Sequence, residues 1–234
     1  LRPTRRAVFA AAALIAALGL AALGVWQVER RAWKHELIAA VDARIHAPPI
    51  AAPGPDRWDA VNAKDDAYRR VTASGRFRHD RETLVQAVTG RGAGYWVVTP
   101  LETPGFTLLV NRGFVPNERR EAKTRAAGNA AGPATVTGLL RVTEPGGAFL
   151  RSNDPAADRW FSRDVAAIAK ARGLGRTAPY FVDADATPNP GGYPVGGLTV
   201  VRFRDHHLVY ALTWFALAAL SLFFAWRLWR IRDR

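Results

Sequence analysis

Two long uncharged runs stand near the ends of this chain, and they limit its folds more than any other feature. Ala7–Trp26, "AVFAAAALIAALGLAALGVW", runs twenty residues without a charge, and Leu208–Trp226, "LVYALTWFALAALSLFFAW", runs nineteen. As helices at about 1.5 Å per residue they reach roughly 28–30 Å, the thickness of a bilayer core. A backbone in lipid must satisfy its hydrogen bonds internally, so each run is expected to be a membrane helix. Trp26, Trp226 and Trp229 stand at the edges of the runs, where amphipathic rings favour the headgroup level. A basic stretch before an alanine–leucine run also suits a secretory signal, but the first run exceeds the usual signal core and reads better as an uncleaved anchor.

Two spans place both termini on one side. Arg2, Arg5 and Arg6 precede the first run, and Arg227, Arg230, Arg232 and Arg234 follow the second, which assigns the termini to the cytoplasm. The expected organisation is a tail and first helix over 1–26, an extramembrane domain over 27–207, and a second helix with a basic tail over 208–234. The formal net charge of +13 does not signal nucleic acid, because the basic residues form no dense run outside the tails. The lipid bilayer is the expected partner of the tails. With no cysteine, the chain has no disulfide, no thiolate metal site and no thiol chemistry.

Trp26, Trp33, Leu37, Val41 and Ile45 repeat at helical spacing, so the first helix should continue past the apolar run until "HAPPI" stops it. Strand signals follow at Tyr68–Phe77, Glu82–Val88, Gly94–Glu102, Phe106–Val115 and Ala134–Arg141, then in "PYFVDA" and "GLTVVRF". The stretch "PNERREAKTRAAGNAAGP" reads as a mobile loop or short exposed helix. One short helix is expected in "WFSRDVAAIAKARG", with Ser162 as N-cap and Gly173 as its stop. The fold class is a membrane protein with two transmembrane helices flanking a mostly antiparallel, barrel-like α+β domain.

Catalytic signatures are missing. No nucleophile elbow or H-E-x-x-H pattern occurs, and His35, His46 and His79 lack metal-ligand spacing. "GRGAG" at Gly90–Gly94 precedes a strand, so a hairpin turn accounts for it better than a phosphate loop. Asp183 and Asp185 share one face of a strand end and are expected to face solvent. Arg112, inside the apolar strand "VNRGFVP", should meet solvent or a carboxylate, or else hold a partner's anionic group such as a propionate.

His206 and His207 sit where the polar domain meets the second helix. Interfacial imidazoles often only bridge the two phases. A functional reading is an axial ligand for haem iron, with Leu208, Tyr210 and Trp214 as apolar wall and Arg202 and Arg204 as counter-charges. On a helix, position 207 shares a face with 210, 211 and 214, whereas His206 lies about 100° away.

Seven stretches occur in the order found in the surfeit locus protein family: "GVWQVERRAWK", "YRRVTASGRF", "GYWVVTPLE", "LLVNRGFVP", "TVTGLLR", "NDPAADRWFSRD" and "RFRDHHLVYALTWF". The chain resembles that family from about Gly24 to Phe215. The resemblance implies a non-enzymatic cytochrome c oxidase assembly factor that binds or presents haem a for insertion into oxidase subunit I. It assigns the haem-associated histidine to His207 and matches the family's Trp and Gln to Trp26 and Gln27. Arg112 and Trp160 fall in two further matched stretches, as partner or structural positions. His206, Phe114 and Phe215 depart from the residues common at their places. The alternatives are a scaffold for subunit I or haem a synthase without haem, and a membrane-anchored envelope enzyme. An alanine–arginine bias points to a bacterial inner membrane with a periplasmic domain, with the mitochondrial inner membrane as the alternative.

Overall fold

A computed structural model describes residues 3–148, 150–201, 203 and 205–230. The chain forms two compact units, one around the two terminal helices and one spanning Val41–Val200.

In the first unit, α1 covers Pro3–His46 and α3 covers His207–Arg230. Both are long and apolar enough to cross a membrane. Each ends with basic residues in its last turn, Arg44 and His46 in α1 and Arg227 and Arg230 in α3, where cations oppose the helix dipole. Pro48 and Pro49 then prevent α1 from continuing. Most side chains of both helices are exposed, as lipid-facing residues would be. Small buried residues recur every seven residues: Ala10, Ala17 and Gly24 on α1, and Ala211, Ala218 and Ala225 on α3. Small residues at this spacing let two helix backbones come close.

The second unit is a curled sheet. Its strands are β1 (Ile50–Ala51), β2 (Arg70–Phe77), β3 (Thr83–Thr89), β4 (Gly92–Thr103), β5 (Phe106–Pro116), β6 (Pro133–Val142) and β9 (Thr177–Ala184). The order β1-β2-β6-β9-β5-β4-β3 is closed by β2 pairing back onto β4 through Arg76↔Glu102 and Phe77↔Leu101. Five strands thus ring a core, with β1 and β3 outside the ring. Pairing is antiparallel except at β1–β2 and β5–β9. A separate hairpin joins β7 (Gly147–Ala148) to β8 (Arg151–Ser152).

Alternation assigns each strand two faces. Val71, Leu101, Leu108, Val110, Leu140, Tyr180 and Val182 fill the ring's interior. The opposite face of β5 and β9 carries Leu109 and Phe181, which pack with Val85, Val98 and Trp160 beneath α2 (Val165–Ala171). Tyr180 closes the bottom of the interior by donating its hydroxyl to Pro53 O at 2.7 Å.

Three expectations need correction, and a fourth is met in one of its alternatives. "GLTVVRF" forms no strand among its described residues: Gly197 turns at φ +71°, and only Val195 pairs, antiparallel with Phe114. β9 leaves β5 after Asn111, and on the edge this frees Val195 pairs with Phe114 through two backbone hydrogen bonds at 2.9 Å. Asp164, not Ser162, caps α2, accepting from Ala167 N at 3.1 Å. Ser162 instead donates to Glu144 O at 2.7 Å. The stretch after β5 takes the short, mostly exposed helical form expected as one of its two readings, over Asn117–Arg119 and Ala122–Gly128, and the buried side chain of Arg125 ties it to Glu82 through a paired bridge. Asp183 is buried, not solvated: Arg141 at 2.8 Å, Arg163 at 3.0 Å, Asn111 at 2.7 Å and Thr199 at 2.9 Å all donate to it.

Candidate functional site

The start of α3 gathers polar groups that the sequence keeps far apart. The backbone N–H of His207 is one of the donors that a helix leaves unsatisfied in its first turn. The carboxylate of Asp205 accepts it at 3.1 Å. Its other oxygen meets His35 Nε2 at 2.8 Å and Arg31 Nε at 3.7 Å, both on α1. The His207 N–H first, and His35 second, hold the Asp205 carboxyl below its ordinary value.

Among the described residues the imidazole of His207 has one hydrogen-bond partner. Its Nδ1 lies 2.7 Å from Gln27 Oε1, and Gln27 is itself buried on α1. An amide oxygen can only accept, so this contact makes Nδ1 the donor, and in the neutral ring that tautomer leaves the lone pair on Nε2. Nε2 has no hydrogen-bond partner among the described residues. Three residues before Gln27, Gly24 leaves room for the neighbouring helix: a Cβ there would lie 2.5 Å from Phe215 Cε1. The two contacts, Gln27 with His207 and Gly24 with Phe215, make α1 and α3 antiparallel at this end.

Around this centre the surface is aromatic. Leu208 is 47% exposed and Tyr210 54%, while Trp214 is half-buried. Trp26 is exposed on α1, and Arg30 stacks over Trp33 at 3.9 Å. His206 is exposed, with its backbone oxygen accepting from Tyr210 N at 3.2 Å. Arg204 lies outside the described residues.

The helical unit therefore brings together His207 and Gln27 from the expected set, with Tyr210, Trp214, Trp26 and His206 nearby on the same two helices. Trp160 and Arg112 belong to the barrel. Trp160 is fully enclosed beside Val85, and its Nε1 donates to Asp158 at 2.7 Å. Arg112 is 4% exposed, and among the described residues its guanidinium meets no carboxylate and donates only to neutral acceptors. Sequence reasoning missed Asp205 and His35. A carboxylate two residues before a helix start was a legible capping signal; its pairing with a histidine 170 positions away was not.

Chemically, the site offers one imidazole nitrogen with its tautomer set by a buried amide, on the edge of an exposed apolar and aromatic flank. These features fit a flat hydrophobic group with a metal centre, because one nitrogen ligand is available and the flank is unpolar. Among the described residues there is no cluster of three or more His, Asp or Glu for a bare metal ion.

The SURF1 family model matches residues 14–219. Surfeit locus protein 1 of Rattus norvegicus is 38% identical over 222 residues, covering 88% of this chain and 70% of the rat protein. The Homo sapiens protein of the same name is 36% identical over 217 residues, covering 85% and 70%. A SURF1-like protein of Monosiga brevicollis is 37% identical over 218 residues, covering 86% and 79%. The match starts within the first apolar helix, crosses the entire barrel and ends within the second, and on that extent the chain belongs to the SURF1 family.

Proposed function

We propose that this member of a family of cytochrome c oxidase assembly factors holds haem a at the start of α3 and presents it to oxidase subunit I. The observation that carries the reading is the His207–Gln27 pair. A buried amide oxygen on Nδ1 leaves Nε2 as the only basic nitrogen of that ring, facing away from its partner. Metal-bound histidines are oriented in this way by a hydrogen bond from their other nitrogen. Leu208, Tyr210 and Trp214 offer an apolar wall to a macrocycle, and a ligand at the membrane surface suits an insoluble cargo whose destination is the bilayer.

Each residue then has a distinct task. His207 would ligate the iron, Gln27 would fix the imidazole's tautomer and angle, and Asp205 would hold the first turn of α3 in place. The haem contributes the iron that accepts the nitrogen lone pair. A single protein ligand favours release, as a carrier needs. No general acid, base or nucleophile enters this role, and the chain would act without catalysis. Haem a synthase is the expected donor. The inner membrane of a bacterium is the expected location, with both termini cytoplasmic and the barrel periplasmic, although the relatives named above are eukaryotic.

The test is to co-produce the chain with the haem a biosynthetic enzymes, purify it in mild detergent and record reduced-minus-oxidised spectra. The expected result is a haem a signal that His207→Ala abolishes. Gln27→Leu should lower occupancy about 10- to 100-fold in affinity without abolishing the signal, as losses of orienting partners do. His206→Ala should retain the signal. A wild-type chain that carries no haem yet still supports oxidase assembly would replace this reading with a scaffold that grips subunit I or the synthase.

A further inference from the structure

The open end of the barrel contains a cavity of about 240 Å³ between β2, β5, β6 and the ends of the loops after β5 and β9. Phe77, Val110 and Val136 contribute apolar lining, and Arg112 lines it as well. Arg112 follows Leu108 and Val110 along the inward face of β5, so the alternation that fills the core aims a cation into the mouth.

The barrel's other deeply set arginines are neutralised. Arg125 faces Glu82, Arg141 reaches Asp183 at 2.8 Å, and Arg163 reaches Glu144 at 2.6 Å and Asp183 at 3.0 Å. Arg112 is the exception. Among the described residues no carboxylate lies within 4.0 Å of it. Nη1 donates to Asn129 Oδ1 at 2.9 Å and His79 Nδ1 at 3.2 Å, and Nη2 donates to Asn189 Oδ1 at 3.1 Å and to Gly128 O. Its Cζ stands 5.0 Å from the ring centre of Phe77. Burial pushes the Arg112 guanidinium down to about 10, and burial together with Arg112 keeps His79 below its ordinary value. Glu82 acts on this charge from beyond contact distance, but Glu82 is paired with Arg125, so the Arg112 charge is hydrogen-bonded without a counter-ion of its own.

A structural latch explains only half of this. Tying two loops to β5 requires acceptors and a donor, and neutral groups could supply both. It requires neither a full charge, which is costly to bury without a counter-ion, nor an adjoining cavity. Asp185 also lines the mouth, but its Oδ1 accepts from Thr187 N at 3.0 Å and its Oδ2 lies 3.9 Å from Arg70. It is thus engaged at the far end.

We propose that the barrel mouth binds a small organic monocarboxylate, with Arg112 anchoring the head and Phe77, Val110 and Val136 enclosing a short apolar body. The head would take the place of an asparagine amide oxygen on the guanidinium. A carboxylate makes shorter and stronger charge-assisted bonds there, in the paired geometry a guanidinium presents. One unbalanced cation calls for one negative charge, which favours a carboxylate over a phosphate dianion. The cavity is smaller than those that enclose drug-sized ligands, so the body is short. Barrel mouths are common places for such ligands. This site is separate from the His207 reading and does not depend on it.

The test is calorimetric titration of the full chain in a non-ionic detergent with hexanoate, hexanol and inorganic phosphate. Hexanoate should bind saturably at one site, and hexanol, its neutral counterpart, at least about tenfold more weakly, the worth of a charge-assisted hydrogen bond. Arg112→Gln should weaken hexanoate by about tenfold or more. Val136→Phe, which fills the cavity without touching the guanidinium's partners, should weaken it as well. Should Arg112→Gln fail to fold, the hexanol comparison and Val136→Phe still distinguish a carboxylate site from none. The proposal is overturned by absence of saturable hexanoate binding, by equal binding of hexanol, by unchanged binding in Arg112→Gln or Val136→Phe, or by phosphate binding more tightly than hexanoate.

Discussion

Asp205 makes the first turn of α3 sensitive to acid. Its carboxylate accepts the His207 N–H at 3.1 Å and meets His35 at 2.8 Å, and both contacts favour the ionised form. A carboxyl whose folded pKa is depressed contributes stability that is complete above its unfolded value, near 3.9. That contribution is lost as the pH falls through the lower folded value. Amide exchange at 207–210, expressed as protection relative to the unfolded chain, should therefore hold from pH 7 to pH 5 and decline below about pH 4. Asp205→Asn keeps an acceptor for the His207 N–H and removes the charge. Its protection should start lower, because the pair with His35 is gone, and should vary little across the acid range. A wild-type profile as flat as that of Asp205→Asn would mean that the carboxylate does not support the turn. At this scale the sequence was legible wherever position alone carried meaning. His207 could be picked out because it opens an apolar helix. Its partner Gln27 lies 180 residues away, and no local pattern records that distance. Arg112 failed differently: its place on β5 was clear, but which side of the strand faced a cavity depended on the closure of the ring.

Between elements, the approach of α1 and α3 depends on small side chains. Ala10, Ala17 and Gly24 on one helix and Ala211, Ala218 and Ala225 on the other are buried at intervals of seven residues. Lipid gives no hydrophobic drive for helices to associate, so close backbone packing must supply it. Gly24 is the sharpest test, because any Cβ there meets the ring of Phe215. Gly24→Val should push the helices apart at the end that carries Gln27 and His207. Since the chain has no native cysteine, spin labels on Val25→Cys and Val209→Cys can report that distance directly. The expected outcome is a longer, broader distance distribution in Gly24→Val and a return toward the parent distribution when Phe215→Ala is added. A parent-like distribution in Gly24→Val alone would show that the ring simply turns aside. The two helices were the most legible elements, because a charge-free run of twenty residues has few other uses. The seam was not foreseen, since alanine is so frequent in the first run that its spacing carries little signal. The barrel strands were legible within one or two residues at most ends, from β-branched runs broken by glycine and proline. "GLTVVRF" misled because strand-forming residues need an edge to pair with, and the chain meets β5 only at Val195, before Gly197 turns it away.

At the scale of the whole molecule, charge and connectivity fix the expected orientation. Two spans return the chain to the side from which it started, and arginines resist translocation more strongly than acidic residues do. Arg5 and Arg6 stand before the uncharged run in α1, and Arg227 and Arg230 follow the one in α3. The expected topology exports the 160 residues Val41–Val200, which form a compact unit of a size that folds by itself. The opposing signal is Arg30, Arg31 and Lys34 just past the first apolar run, a cluster that would favour the reverse orientation. Arg30 lies over Trp33 and Arg31 faces Asp205, so charge in this cluster is partly occupied on the folded surface. Residues at helix ends weigh most during insertion, however, and the test must be made on the inserted chain. A single cysteine can be placed at Thr4 or at Gly90, in the β3–β4 turn. In intact cells, a membrane-impermeant maleimide should label Gly90→Cys strongly and Thr4→Cys only after the membrane is permeabilised. Labelling of Thr4→Cys but not Gly90→Cys in intact cells would invert the topology. It would place the His207–Gln27 pair on the cytoplasmic surface, and the source of any haem presented there would then have to lie on that side as well.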